Sequence, residues 1–142
     1  MLDKIIIGCD HAGYDMKLFL MNYLNNEKIE ILDVGAYSSE SVDYPDIAHK
    51  LAIEIENGNY KQGILLCGSG NGVNISANKH KGVRSALCWN TEIASLARKH
   101  NDANILALPA RFISNIEALE ILKVYLSSEF EGGRHEVRVN KI

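Results

Sequence analysis

The residues able to do chemistry fall into three short stretches and a tail that carries arginines. Gly8-Cys9-Asp10-His11-Ala12-Gly13 sets a carboxylate beside an imidazole, Cys67-Gly68-Ser69-Gly70-Asn71-Gly72 sets a thiol before a glycine-rich turn, and His100-Asn101-Asp102 closes an amphipathic segment. Successive backbone N–H groups at a glycine-rich helix start suit an anion or an oxyanion, and the same glycines also suit a tight turn with close helix packing. A thiol at that point, Cys67, feels the positive end of the helix dipole and can serve as nucleophile or general base. A lone Cys at the end of a buried strand equally serves as packing, the role read for Cys9 and Cys88. Asp10 and His11 can handle protons or hold hydroxyls, although Asp is also a turn and cap residue. His100 shares a helical face with Ile93, Leu96 and Ala97 and in isolation reads as a core histidine. Arg134 and Arg138, four apart, fit a phosphate or carboxylate clamp or a solvated surface pair, and Arg111 reads the same way.

Several function classes fail on detail. No G-x-x-x-x-G-K-[ST] is present, and the dinucleotide pattern G-x-G-x-x-G breaks at Val73, with Cys88-Trp89-Asn90 where its acid belongs. The five histidines (11, 49, 80, 100 and 135) show neither H-x-x-x-H nor E-x-x-H spacing, so no metal site is expected. A net charge of −3 gives no reason to expect nucleic acid. The apolar runs are too short for a bilayer, and Ile5-Ile6-Ile7 stops at Gly8, unlike a signal peptide. Three Cys, none in a C-x-x-C pair, indicate a reducing compartment and no disulfide scaffold. The expectation is one cytoplasmic domain over residues 1–142, without membrane or nucleic-acid partners.

Short apolar runs alternate with amphipathic segments and supply the frame for those groups. Strands are expected at Ile5–Ile7, Ile29–Val34, Ile64–Leu66, Val83–Cys88 and Ile105–Leu108. Helices are expected around Met16–Leu24, from Pro45 to Gly58, over Val73–Lys79, over Thr91–His100, and from a Ser114/Glu117 capping box to about Leu126. Strand runs without polar alternation imply cover on both faces, hence an α/β fold, a three-layer α/β/α sandwich with a five-stranded parallel sheet. Ligands of such sheets bind beyond the carboxyl ends of the strands, which singles out the stretches after strands one and three, and with them the one before strand five. Phe130 to Ile142 shows no period and reads as a tail.

Taken together, the motifs resemble the type B ribose-5-phosphate isomerase family, which includes allose-6-phosphate and galactose-6-phosphate isomerases. The likeness runs through Gly8 to Gly13, Asp43-Tyr44-Pro45, Cys67 to Gly72, Ala77-Asn78-Lys79, His100-Asn101-Asp102, Arg111 and Gly132-Gly133-Arg134-His135 to Arg138. It implies a Rossmann-like fold and an aldose–ketose isomerase of the pentose phosphate pathway, working by metal-free proton transfer through a cis-enediolate with no cofactor. By the resemblance, Cys67 is the base, Gly68, Ser69, Gly70, Asn71 and Gly72 stabilise the enediolate oxygen, and Ser69 stands where Thr is frequent. His100 with Asp10 opens the furanose ring, Asn101 holds substrate, and His11, Arg111, Arg134 and Arg138 bind substrate and phosphate. The family is a homodimer or a dimer of dimers with shared active sites, which places the tail from about 128 to 142 in a partner's site. Asn74 and Ala36-Tyr37 differ from the family pattern along the pocket wall. In galactose-6-phosphate isomerase the thiol and the Gly-Gly-Arg tail are divided between different chains. Having both here favours a self-sufficient homodimer acting on ribose 5-phosphate, ahead of allose 6-phosphate or a non-catalytic sugar-phosphate-binding regulator.

Overall fold

The computed structural model describes residues 2–142. Its parallel strands are β1 (Lys4–Cys9), β2 (Glu30–Asp33), β3 (Gly63–Cys67), β4 (Ser85–Leu87) and β5 (Ile105–Pro109), in the order β2-β1-β3-β5-β4. The helices are α1 (Tyr14–Asn26), α2 (Tyr44–Glu56), α3 (Asn71–Ala77), α4 (Thr91–Asn101), α5 (Asn115–Ser127) and α6 (Arg134–Val139). Side chains alternate across the pleat, so Ile5, Ile7 and Cys9 meet α1, α4 and α5 on one face while Ile6 meets α2 and α3 on the other. Ile6, Ile7, Leu65, Leu66, Leu106 and Leu108 are wholly enclosed, each contributing about 1.5–3 kcal/mol by leaving water. The chain turns back between β1 and β3, which is the topological switch point of the sheet.

Local chemistry sets the element ends. Ser114 accepts from the Glu117 amide at 3.1 Å and the Glu117 carboxylate accepts from the Ser114 amide at 2.7 Å, the reciprocal cap expected for α5. Pro45 lies in the first turn of α2, and Gly58 follows its end at φ 75°.

Three expectations are corrected. Only β1, β3 and β5 are covered on both faces; β2 alternates between exposed and half-buried residues, and β4 is half-buried throughout, because both lie at sheet edges. β4 is also three residues long where a longer strand was expected. There the Asn78 side chain takes the place of a neighbouring strand, accepting from the Ser85 amide at 2.8 Å and donating to its carbonyl at 2.9 Å. Finally, the aperiodic tail contains a helix. Gly132 and Gly133, at φ 66° and 57°, turn the chain so that α6 lies against α4, with the Glu131 amide donating to the Lys99 carbonyl.

Candidate active site

The carboxyl edge of the sheet gathers the first group of polar side chains. Asp10 follows β1 directly and caps a 3₁₀ turn over His11–Gly13, its Oδ1 accepting from the amides of Ala12 at 2.9 Å and Gly13 at 3.2 Å. Both bonds use one oxygen; Oδ2 takes none among the described residues. His11 accepts at Nδ1 from the Val42 amide at 3.3 Å, so the neutral ring carries its proton on Nε2. Behind Asp10, Lys17 is fully enclosed and donates to both carboxylate oxygens of Asp33, at 2.8 and 2.9 Å, and to the Ala36 carbonyl. That clamp holds residues 33–36 alongside β1, where Gly35 and Ala36 bond the Cys9 backbone on either side. A lysine at the core of an apolar helix face, paired with a carboxylate 16 residues away, leaves no mark in the hydrophobic pattern.

Cys67 ends β3, next to β1 at the switch point, and is 4% exposed. The turn after it depends on glycine. Gly70 sits at φ 75°, and a Cβ there would strike the Leu87 side chain and come within 3.1 Å of the Leu108 carbonyl. A Cβ on Gly72 would stand 2.5 Å from the Tyr44 ring, so Tyr44 packs directly over the start of α3. Tyr44, of the Asp43-Tyr44-Pro45 motif, thereby covers the glycine-rich turn. Ser69 Oγ accepts from the Asn71 amide at 3.2 Å, which leaves its own hydrogen for another acceptor. Arg111 follows β5, donates its amide to the Gly68 carbonyl at 3.0 Å, and lays its guanidinium against Gly68. Asp10, His11, Cys67 to Gly72 and Arg111 thus share one edge.

His100 and Asn101 do not. α4 runs antiparallel to the strands, starting after β4 and ending before β5, so its last turn lies at the amino edge. Eleven helical residues carry the chain about 15 Å, so within one chain His100 lies at the opposite edge of the sheet from Cys67. His100 is only half-buried and stacks on His135 of α6, ring centroids 4.0 Å apart and 12° from parallel. It is therefore not the enclosed core histidine that its helical face suggests in isolation. Between α4 and α6 lies a cavity of about 490 Å³ lined by His100, Asn101, Arg134, His135 and Arg138. An ion-pair network fixes the end of α4. Asp102, left-handed at φ 46°, receives Arg98 at 2.9 Å and Arg84 at 3.2 Å, and Arg84 Nε also donates to the Asn101 carbonyl at 3.0 Å.

His100, Glu131 and His135 each place one ligand atom within a 4.8 Å group. Near-parallel stacked rings aim their in-plane lone pairs along separate planes, which do not converge on one ion at the usual 2.0–2.1 Å or so. The Cys9 and Cys88 thiols are packing groups, pushed up by burial to about 11 and about 12. His135 is held below the usual imidazole range by burial, by His100 and by Arg134.

Sheet order, switch point and polar groups at the strand ends define a doubly wound parallel α/β protein. Residues 5–142 match the family model described as Ribose/Galactose Isomerase, and the chain belongs to that family. Ribose-5-phosphate isomerase B of Escherichia coli is 40% identical over 99% of this chain and 95% of its own. A crystal structure of a ribose 5-phosphate isomerase from Thermotoga maritima superposes with a TM-score of 0.95 at 49% identity, covering 97% of this chain and 95% of that one. The enzyme from Mycoplasma genitalium, solved with bound ribulose-5-phosphate, gives 0.93 at 39% identity, covering 97% and 92%.

Proposed function

We propose that the chain interconverts D-ribose 5-phosphate and D-ribulose 5-phosphate through a cis-enediolate, in a homodimer whose two sites each take one half from each copy. The observation that carries this reading is the split itself: the thiol and its glycine-rich turn at one sheet edge, the imidazole and arginines at the other. A two-fold contact that brings the α4–α6 cavity of one copy against the Cys67 turn of the other completes two sites at once.

In the assembled site His100 gives a proton to the furanose ring oxygen while Asp10, through Oδ2, takes the proton of the C1 hydroxyl, and the ring opens. Cys67, as thiolate, removes the C2 proton; that electron pair becomes the C1=C2 bond and the C1 oxygen takes the negative charge. The amides from Gly68 to Gly72 meet that charge, each such donor stabilising the transition state by roughly 3–4 kcal/mol. The C1=C2 electron pair then takes the proton back from Cys67 at C1, the C2 hydroxyl becomes the carbonyl of the ketose, and its proton passes through the Ser69 hydroxyl to the C1 oxygen. Asn101 holds a hydroxyl, and His11 and Arg111 of one copy with Arg134 and Arg138 of the other hold the phosphate. Three buried free thiols suit a reducing compartment, the cytoplasm.

The test is subunit mixing. Cys67→Ala and His100→Asn chains, each inactive alone, are co-expressed and assayed in excess chelator with ribose 5-phosphate and with allose 6-phosphate. Random pairing makes half of the dimers mixed, each with one intact site, so about 25% of wild-type pentose turnover is expected. No recovery would overturn the shared site, loss of wild-type activity in chelator the metal-free route, and faster turnover of the hexose the substrate.

A further inference from the structure

His135 has no part in the reaction as set out above, yet its ring stacks directly on that of His100. The turn at Gly132 and Gly133 is pinned by the Glu131 amide on the Lys99 carbonyl and by the His135 amide on the Gly132 carbonyl at 3.1 Å. Those bonds bring the His135 ring face to face with His100 at 4.0 Å, with its side chain only 12% exposed. Around the stack stand Arg134 and Arg138 on α6 and the Glu131 carboxylate, 3.9 Å from His135 Nε2, and His100 itself faces it from α4. Two stacked imidazoles do not both carry a positive charge at this separation without strong repulsion, and two cationic arginines beside His135 oppose its protonation further.

We infer that His135 is a positioning residue for ring opening: its neutral ring is the platform on which the protonated His100 ring is held and aimed. This rests on the reading of His100 as the ring-opening acid. A neutral aromatic face attracts a cation and a cationic face repels it, so the platform works only while His135 is uncharged. As pH falls through the lowered range of His135, the second proton enters the stack, the rings part, and ring opening fails while enolisation continues.

Ribose 5-phosphate enters as a furanose, whereas ribulose 5-phosphate is open-chain because its 5-oxygen is phosphorylated. Turnover of the aldose therefore includes ring opening. Exchange of a C1 hydrogen of ribulose 5-phosphate with deuterated solvent reports the Cys67 step alone. The ratio of the two rates cancels the titration of Cys67 and any general loss of fold or binding. His135→Ala is expected to lower that ratio about tenfold, and His135→Phe, which restores a neutral ring, to recover most of it. In the wild type the ratio should fall on the acid side of pH 6.5, and in His135→Phe that fall should be absent. An unchanged ratio in His135→Ala, a ratio in His135→Phe as low as in His135→Ala, or the same acid-side fall in His135→Phe would overturn the platform. His100→Asn separates the two claims. If it lowers the ratio and His135→Ala does not, only the platform fails; if it leaves the ratio unchanged, the role of His100 fails and the platform with it.

Discussion

Gly70→Ala and Gly82→Ala form a matched pair that measures how far the turn after Cys67 is held by its surroundings. Both glycines have left-handed backbones, φ 75° and 77°, but a Cβ on Gly82 meets nothing within 4 Å. At Gly82 the cost is the left-handed penalty of about 1–2 kcal/mol, less about 0.4–1 kcal/mol regained because alanine restricts the unfolded chain. That leaves roughly 1 kcal/mol, or about 3–4 °C in Tm for a domain of this length. At Gly70 the same penalty is joined by the collision with Leu87 and the 3.1 Å approach to the Leu108 carbonyl, so overpacking adds about 1–3 kcal/mol. The expected fall in Tm is then about 6–14 °C, read by thermal denaturation at matched protein concentration. If the backbone yields instead, the amides from Gly68 to Gly72 are re-aimed and kcat falls about 100-fold. Equal, small Tm shifts for the two variants with kcat unchanged in Gly70→Ala would refute the reasoning.

Two further perturbations follow from buried groups. Lys17→Met leaves the Asp33 carboxylate without its cation, and a loss of about 3–5 kcal/mol is expected in urea denaturation; adding Asp33→Leu should recover part of it, and additive losses would show that the pair is not coupled. The raised thiols of Cys9 and Cys88 favour the folded state less as pH rises above 9.0, because the unfolded thiols ionise first; Tm should fall between pH 9 and about 11, and Cys88→Ala should flatten that slope.

Much of the frame is legible in the chain because the signals are local. Apolar runs without alternation mark β1, β3 and β5, whose faces are both covered, and the Ser114/Glu117 spacing specifies both halves of a cap. What escapes is settled by contacts distant in sequence. Lys17 hides in an apolar stripe because its partner lies 16 residues on, and α6 hides because two glycines and the surface of α4, rather than a periodic stripe, make it a helix. The position of His100 is the instructive case. A helix that crosses between parallel strands must end at the amino edge, so proximity in sequence to strand five says nothing about proximity to the strand ends where Cys67 lies.

The amide of Asn78 on Ser85 bears on more than the length of β4. An exposed edge strand is a template on which another chain can add its own backbone, and parallel sheets stay vulnerable while they assemble slowly. With Ser85 occupied on both its donor and its acceptor, and with only three residues in the strand, an incoming segment finds no register to start from. A single polar side chain so closes the β4 edge of the sheet, and on that side growth of the molecule by strand addition ends inside its own sequence.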